Sequence, residues 1–118
     1  MRMTFIGVAA MVVLGMLGAA LLAADNPAGK SGETLFQENC AVCHPAGGNI
    51  LNPTKTLFTR DLEKNGIQTP QDIVRKMRNP GAFSTHPQEW SGMKMFDEKA
   101  ITDEDALKIA EYILSTFR

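Results

Sequence analysis

Cysteine is scarce in this sequence, because Cys40 and Cys43 are the only two among 118 residues. Two cysteines leave nothing for a disulfide framework, so the chain is not a disulfide-stabilised scaffold. No stretch alternates apolar and polar residues in the manner of a half-buried strand. Basic residues do not cluster with aromatic ones, which excludes a typical nucleic-acid-binding surface. These absences favour an all-α protein with another role.

The first 24 residues have the features of an export signal peptide. Arg2 supplies a positive charge, residues 5–22 are apolar apart from glycines, and small residues at positions 19, 20, 23 and 24 offer cleavage sites. About 20 apolar residues can span a bilayer, so a retained anchor is the alternative. We expect residues 1–24 to be a leader and residues 25–118 to form one small domain.

The sequence Cys40-Ala41-Val42-Cys43-His44 has the pattern Cys-x-x-Cys-His. In this pattern the two thiols add to the vinyl groups of haem, and the adjacent histidine becomes the proximal iron ligand. Two intervening residues allow one helical turn to present both sulfurs to the porphyrin edge. The motif predicts one covalent haem c, bound through Cys40 and Cys43, with His44 on the iron.

Two other interpretations of the cysteines are weaker. A redox dithiol is typical of a βαβ setting, and no strand-like run precedes Cys40. A zinc site needs four ligands, and His86 is the remaining candidate of the right kind. Covalent haem is therefore the interpretation that these residues favour.

Helix signals begin immediately after the leader and its linker. Ser31 is a candidate N-cap for a helix that leads into the haem motif. Residues 44–53 are too rich in proline and glycine for regular structure, so we expect a loop that wraps the haem. A short helix is predicted over residues 60–64, ending at Asn65 and Gly66.

Two further helices have clear N-terminal signals. Thr69 is the N-cap of one, with Pro70 at the first position and Asp72 in a capping box, and Thr102 is the N-cap of the other. Their apolar residues have the spacing of a buried face: Ile73, Val74 and Met77 in the first, and Ala106, Ile109, Ala110, Ile113, Leu114 and Phe117 in the second.

These features resemble the class I monohaem c-type cytochromes, and most of all their short bacterial and algal-luminal branch. The resemblance is carried by Gly32, Phe36, Cys40, Cys43, His44, Gly47, Gly48, Asn49, Pro53, Lys55, Thr56, Leu57, Gly92, Met93, Phe96, Ile101, Thr102, Asp103, Ala110, Tyr112 and Ile113. It implies a small all-α cytochrome c fold, with three to five helices and loops around one covalently bound haem. It also implies that Gly32 and Phe36 meet Tyr112 where the first and last helices cross.

The resemblance also suggests partners for the haem and its iron. The Pro53 carbonyl is expected to accept the second N–H of His44. Met93 and Met95 would point the same way in an extended loop, so alternation does not distinguish them as the second iron ligand. The family pattern Met-x-x-Phe, here Met93 and Phe96, makes Met93 the expected ligand and Met95 the alternative.

The chain departs from the family between Gly81 and Gly92, where a loop is inserted. Trp90 in this loop is a candidate donor to a haem propionate. His86 is a further candidate iron ligand in place of methionine. The position after Met93 is Lys94, where the family usually has proline.

The expected function is transfer of single electrons in the periplasm or another exported compartment, without enzymatic activity. With histidine and methionine on its two faces, iron has no position open to a substrate. We expect a monomer that meets redox proteins transiently, and contact with a membrane only if the leader is retained. The alternatives are a peroxidase-like haem catalyst and a redox or gas sensor, which both require an open or labile distal site.

Overall fold

The computed structural model describes residues 29–83 and 92–118, and the described residues form helices and loops without any strand. Four α-helices are present: α1 (Gly32–Asn39), α2 (Thr59–Lys64), α3 (Pro70–Arg78) and α4 (Asp103–Thr116). Two 3₁₀ turns, Pro45–Gly47 and Pro80–Phe83, lie between them. The predicted all-α fold is confirmed. The leader, His86 and Trp90 lie outside the described residues.

The N-terminal caps of the helices follow the predicted signals. The Ser31 hydroxyl accepts the Thr34 N–H at 3.1 Å, and the Thr102 hydroxyl accepts the Asp105 N–H at 3.2 Å. Thr69 and Asp72 form the complete capping box of α3. Each bond satisfies a backbone N–H that has no partner within its helix.

The short helix α2 starts one residue before the predicted range of 60–64, at Thr59. It ends as expected at Asn65, and Gly66 follows with a φ of +72°. A left-handed residue is easiest for glycine, which has no Cβ to collide with the backbone. The chain can therefore turn at once towards α3.

The crossing of α1 and α4 forms the centre of the core. Gly32 lies against the backbone of Lys108 with no space for a side chain. The ring of Phe36 packs against Tyr112 and Phe117, with centroids 5.3 and 5.4 Å away. Tilted aromatic pairs at this spacing stabilise beyond their buried area. The predicted meeting of Gly32, Phe36 and Tyr112 is confirmed.

Helix α3 covers another side of α4 and completes the core. The buried apolar residues are Leu35, Phe36, Leu62, Ile67, Ile73, Met77, Ile101, Ala106, Ile109, Ala110, Ile113 and Phe117. They include most of the predicted apolar faces of α3 and α4, while Val74 and Leu114 are partly buried at the edge of this cluster. Among the described helices, none has both the length and the apolar character needed to cross a membrane.

The loop after His44 is more ordered than expected, because Pro45–Gly47 forms a 3₁₀ turn. Gly47 is buried with a φ of +80°, and a Cβ there would lie 2.5 Å from Cδ1 of Phe117. The absent side chain lets the turn pack directly onto the ring of Phe117. The loop is thereby attached to the end of α4.

Candidate functional site

A cavity of about 350 Å³ lies between the loop after α1 and the helices α3 and α4. Its volume is in the range of small-molecule and cofactor sites. Its apolar lining comes from Val42, Leu51, Leu57, Leu62, Ile67, Ile73, Met77, Phe96, Ile109 and Ile113. Its neutral polar lining comes from Asn39, Asn49, Asn52, Thr56 and Asn65. The site is thus a mostly apolar pocket with a few polar groups.

The predicted motif residues Cys40, Cys43 and His44 all line this cavity. The Cys40 carbonyl accepts the Cys43 N–H at 3.1 Å and the His44 N–H at 2.8 Å. These two bonds close a turn immediately after α1. The turn brings the two thiols and the imidazole to one wall of the cavity, as the motif spacing predicts.

The two thiols are free and half-buried. Burial, together with a smaller effect of the neighbouring Cys43, raises the pKa of Cys40 to about 11. Cys40 therefore stays a neutral thiol at physiological pH. The described residues contain no cluster of three or more histidine, cysteine and acidic side chains that would bind a metal ion.

His44 has one ring nitrogen engaged by the backbone. Its Nδ1 lies 2.7 Å from the carbonyl oxygen of Gly48. Because a carbonyl can only accept, Nδ1 is the protonated nitrogen and Nε2 keeps its lone pair. Burial lowers the pKa of His44, and the bond to Gly48 opposes this only in part. A neutral imidazole with a free Nε2 is the form that binds a metal.

The partner of His44 Nδ1 differs from the predicted one. We expected the carbonyl of Pro53, but Pro53 is exposed and does not line the cavity. The 3₁₀ turn explains the difference, since it carries the chain back beneath the ring and directs the Gly48 carbonyl to it. In this structure Gly48 therefore replaces Pro53 as the group that orients the imidazole.

The segment after the gap in the described residues also contributes to the cavity. Met93 is partly buried and lines the cavity beside Gly92, whose φ is +63°. Met95 does not line the cavity, and 60% of its surface is exposed. The Phe96 N–H donates to the Met77 carbonyl at 2.9 Å, which attaches this segment to α3. Met93 and Met95 therefore differ in their position relative to the cavity, although the alternation of an extended chain does not distinguish them.

Three lysines, Lys55, Lys76 and Lys94, also line the cavity. Lys76 was not predicted as a site residue. The sequence already indicated that Lys76 could reach the cavity. It lies three positions after Ile73, at the edge of the apolar face of α3. His86 and Trp90, which were predicted candidates, lie outside the described residues and cannot be placed in the site.

Comparison with known proteins gives consistent matches. The family model described as "Cytochrome c" matches residues 29–117. A cytochrome c6 from Rippkaea orientalis is 37% identical over 100 residues, which cover 85% of this chain and 78% of that protein. The chloroplastic cytochrome c6 of Arabidopsis thaliana is 51% identical over 55 residues, which cover 42% of this chain and 31% of that protein.

A solved structure shares the fold. The outer membrane cytochrome F (OmcF) from Geobacter sulfurreducens superposes with a TM-score of 0.65 at 43% sequence identity. The superposition covers 75% of this chain and all of the other. The helices around the cavity are therefore those of a small cytochrome c fold.

Proposed function

Because the chain belongs to the cytochrome c family, we propose that it is an exported carrier of single electrons whose haem iron is bound by His44 and Met93. Its cofactor is one covalently bound haem c, and it is a small haem electron carrier of class I. The observation that carries the proposal is a cavity lined by two thiols, a neutral imidazole and the side chain of Met93, with Met77 also in its lining.

The residues of the cavity fit a haem. Cys40 and Cys43 would form the two thioether bonds, His44 would bind iron through Nε2, and Met93 would bind it from the other side. The apolar lining would bury the porphyrin ring, and the lysines would offset the charge of its propionates. When bound, the haem supplies an iron that changes its charge by one as an electron arrives or leaves.

The protein's own contribution is to orient the ligands and to exclude water. The Gly48 carbonyl fixes the tautomer and the rotation of the His44 ring. Ile109 is fully buried at the cavity wall, and Ile73 and Met77 are nearly so. A buried apolar wall would reduce the solvent reorganisation that accompanies a change of charge on the cofactor. Ligation by both His44 and Met93 would leave the iron no coordination position for a substrate, which favours a carrier over a catalyst or a sensor.

Electron exchange requires that a partner approach the cofactor. Val42 and Leu51 line the cavity, yet 77% and 54% of their surfaces are exposed. The cavity therefore reaches the protein surface along these two residues. We expect redox proteins to make brief contact at this edge, where the cavity that would hold the haem opens to the surface.

Export is inferred from residues 1–24, which precede the family match at residue 29. Their basic start, apolar middle and small residues have the pattern of a signal peptide. Sequencing the N-terminus of the protein purified from a secretion-competent bacterium checks this. A mature start between residues 20 and 26 is expected, and a start at Met1 or Arg2 would show a retained leader.

The spectrum of the purified holoprotein tests the proposed ligands. Haem should remain attached after denaturation in acid and acetone, and the pyridine haemochrome should be that of two thioether bonds. The ferric protein should show the weak long-wavelength charge-transfer band of methionine ligation. Carbon monoxide should not bind promptly to the reduced protein at neutral pH. Prompt binding would instead support a catalyst or sensor with an open distal site.

A further inference from the structure

Helix α3 carries a charged residue on its buried face. Lys76 and Met77 lie three and four positions after Ile73, so both are neighbours of Ile73 on the helix surface. All three line the haem cavity. Ile73 and Met77 are buried, whereas Lys76 is only partly buried and adds an ammonium group beside them. Charged residues usually lie on the outer face of such a helix, so position 76 departs from the amphipathic pattern.

The immediate partners of Lys76 do not balance its charge. Its Nζ donates a hydrogen bond to the Pro80 carbonyl, which is neutral. Among the residues that the structure describes, no carboxylate is paired with Lys76. Burial lowers the pKa of Lys76, and the positive charge of Lys55 lowers it further. A half-buried ammonium beside a like charge is unfavourable unless a negative group joins it.

The whole cavity has the same imbalance of charge. Its charged lining residues are Lys55, Lys76 and Lys94, and no described aspartate or glutamate lines it. The chain as a whole has a formal net charge of −1, so this local excess of positive charge is not a property of the entire surface. A haem brings two propionate carboxylates, which are the complementary groups.

We propose that Lys76 pairs with a haem carboxylate inside the cavity and raises the reduction potential of the iron. This inference rests on the proposed function, since it concerns how the same site is tuned. A positive charge opposes the additional positive charge of ferric relative to ferrous iron. The apolar walls around Lys76 screen this interaction less than water would. Lys76 is then a positioning residue. It acts on the iron through its own positive charge and through its contact with the haem carboxylate.

The test is a redox titration of the holoprotein with Lys76→Gln and Lys76→Leu. At a fixed ambient potential, the ratio of reduced to oxidised protein should fall about tenfold in both variants, which is about 59 mV for a one-electron couple. Lys76→Leu keeps an apolar residue on the apolar face of α3, so it should fold at least as well as Lys76→Gln. Lys76→Arg keeps the positive charge, so its ratio of reduced to oxidised protein should stay close to that of the unmodified protein.

The matched control is Lys99→Gln, which removes the same charge from an exposed position that does not line the cavity. If both neutral variants at position 76 shift the ratio no more than this control does, or shift it towards the reduced form, the inference is wrong. The haemochrome and charge-transfer band of each variant are measured alongside. If the unmodified protein lacks them, the proposed function fails, and this inference fails with it.

Discussion

Gly32 lies against the backbone of Lys108, where α1 crosses α4. A Cβ atom on Gly32 would overlap the carbonyl oxygen of Lys108 and lie 2.8 Å from its carbonyl carbon. The neighbouring groups are backbone atoms of a buried helix, which cannot move aside as a flexible side chain can. The absence of one side chain thus sets the distance between the two helices that hold Phe36 and Ile109.

Replacing Gly32 by alanine should therefore destabilise the protein. The added methyl group must separate α1 from α4, and overpacking of this kind costs about 1–3 kcal/mol. Chemical denaturation of the holoprotein, followed by circular dichroism, measures the effect. Gly81→Ala is the matched control, because a Cβ there would meet only Asn79 Oδ1 at 3.7 Å. Equal losses in the two variants would contradict a specific role for the crossing.

Much of the fold could be predicted because its signals are local. Ser31, Thr69 and Thr102 cap helices through hydrogen bonds that span three residues, so short sequence windows contain them. The apolar face of α4 is likewise visible in its own spacing. The crossing at Gly32 is a long-range contact, and it was predicted only through the resemblance to a family.

The features that sequence analysis missed depend on distant parts of the chain. The Gly48 carbonyl reaches His44 because the 3₁₀ turn packs on Phe117, about 70 residues further along the sequence. Met95 and Met93 differ in exposure because the segment that carries them is bonded to Met77 of α3. Neither contact can be read from local spacing. Lys76 is different, since its place on an apolar face was visible and was overlooked.

The capping box of α3 should make the stability of the folded protein depend on pH. The Asp72 carboxylate accepts the backbone N–H groups of Gln68 and Thr69 at 3.1 and 3.0 Å. The bond from the Gln68 N–H is the main cause that holds the pKa of Asp72 below 3.8, and contacts with Thr69 add to it. A lowered pKa stabilises the fold above pH 3.8, and this contribution is lost as the pH falls through the native value.

Asp72→Asn, which keeps the shape but not the charge, should consequently lower the thermal midpoint most at neutral pH. The difference from the unmodified protein should shrink as the pH falls from 3.8 towards the lower native pKa, because the carboxyl of the unfolded chain is protonated first and the native carboxylate only at the lower pH. Thermal melts between pH 3 and pH 7 check this. Glu111→Gln, on the exposed side of α4, serves as the control for a simple loss of charge. A constant difference across the range would show that the charge of Asp72 is not involved.

Truncating a side chain of the cavity wall should destabilise the protein more where that side chain is buried. Ile109 is fully buried and lines the cavity, so Ile109→Ala should cost about 2–5 kcal/mol. Leu51 lines the same cavity but is 54% exposed, so Leu51→Ala should cost about 1 kcal/mol or less. Denaturant titration of both holoproteins gives the comparison. If the two losses were similar, the core would not extend to this wall.

Substitution of the two methionines should identify the second iron ligand. Met93 lines the cavity that contains His44, and Met95 is mainly exposed to solvent. Met93→Ala should abolish the charge-transfer band of the ferric protein and lower the reduction potential, because a thioether stabilises ferrous iron. Met95→Ala removes the same side chain two positions away and should leave both unchanged.

The pair is informative because each variant is the control for the other. Both remove a thioether from the same segment, which the bond between Phe96 and Met77 attaches to α3. A general loosening of this segment would weaken the band in both proteins, whereas loss of a ligand would remove it in one. If only Met95→Ala lost the band, Met95 would be the ligand, and this segment would have to rotate when the haem is bound.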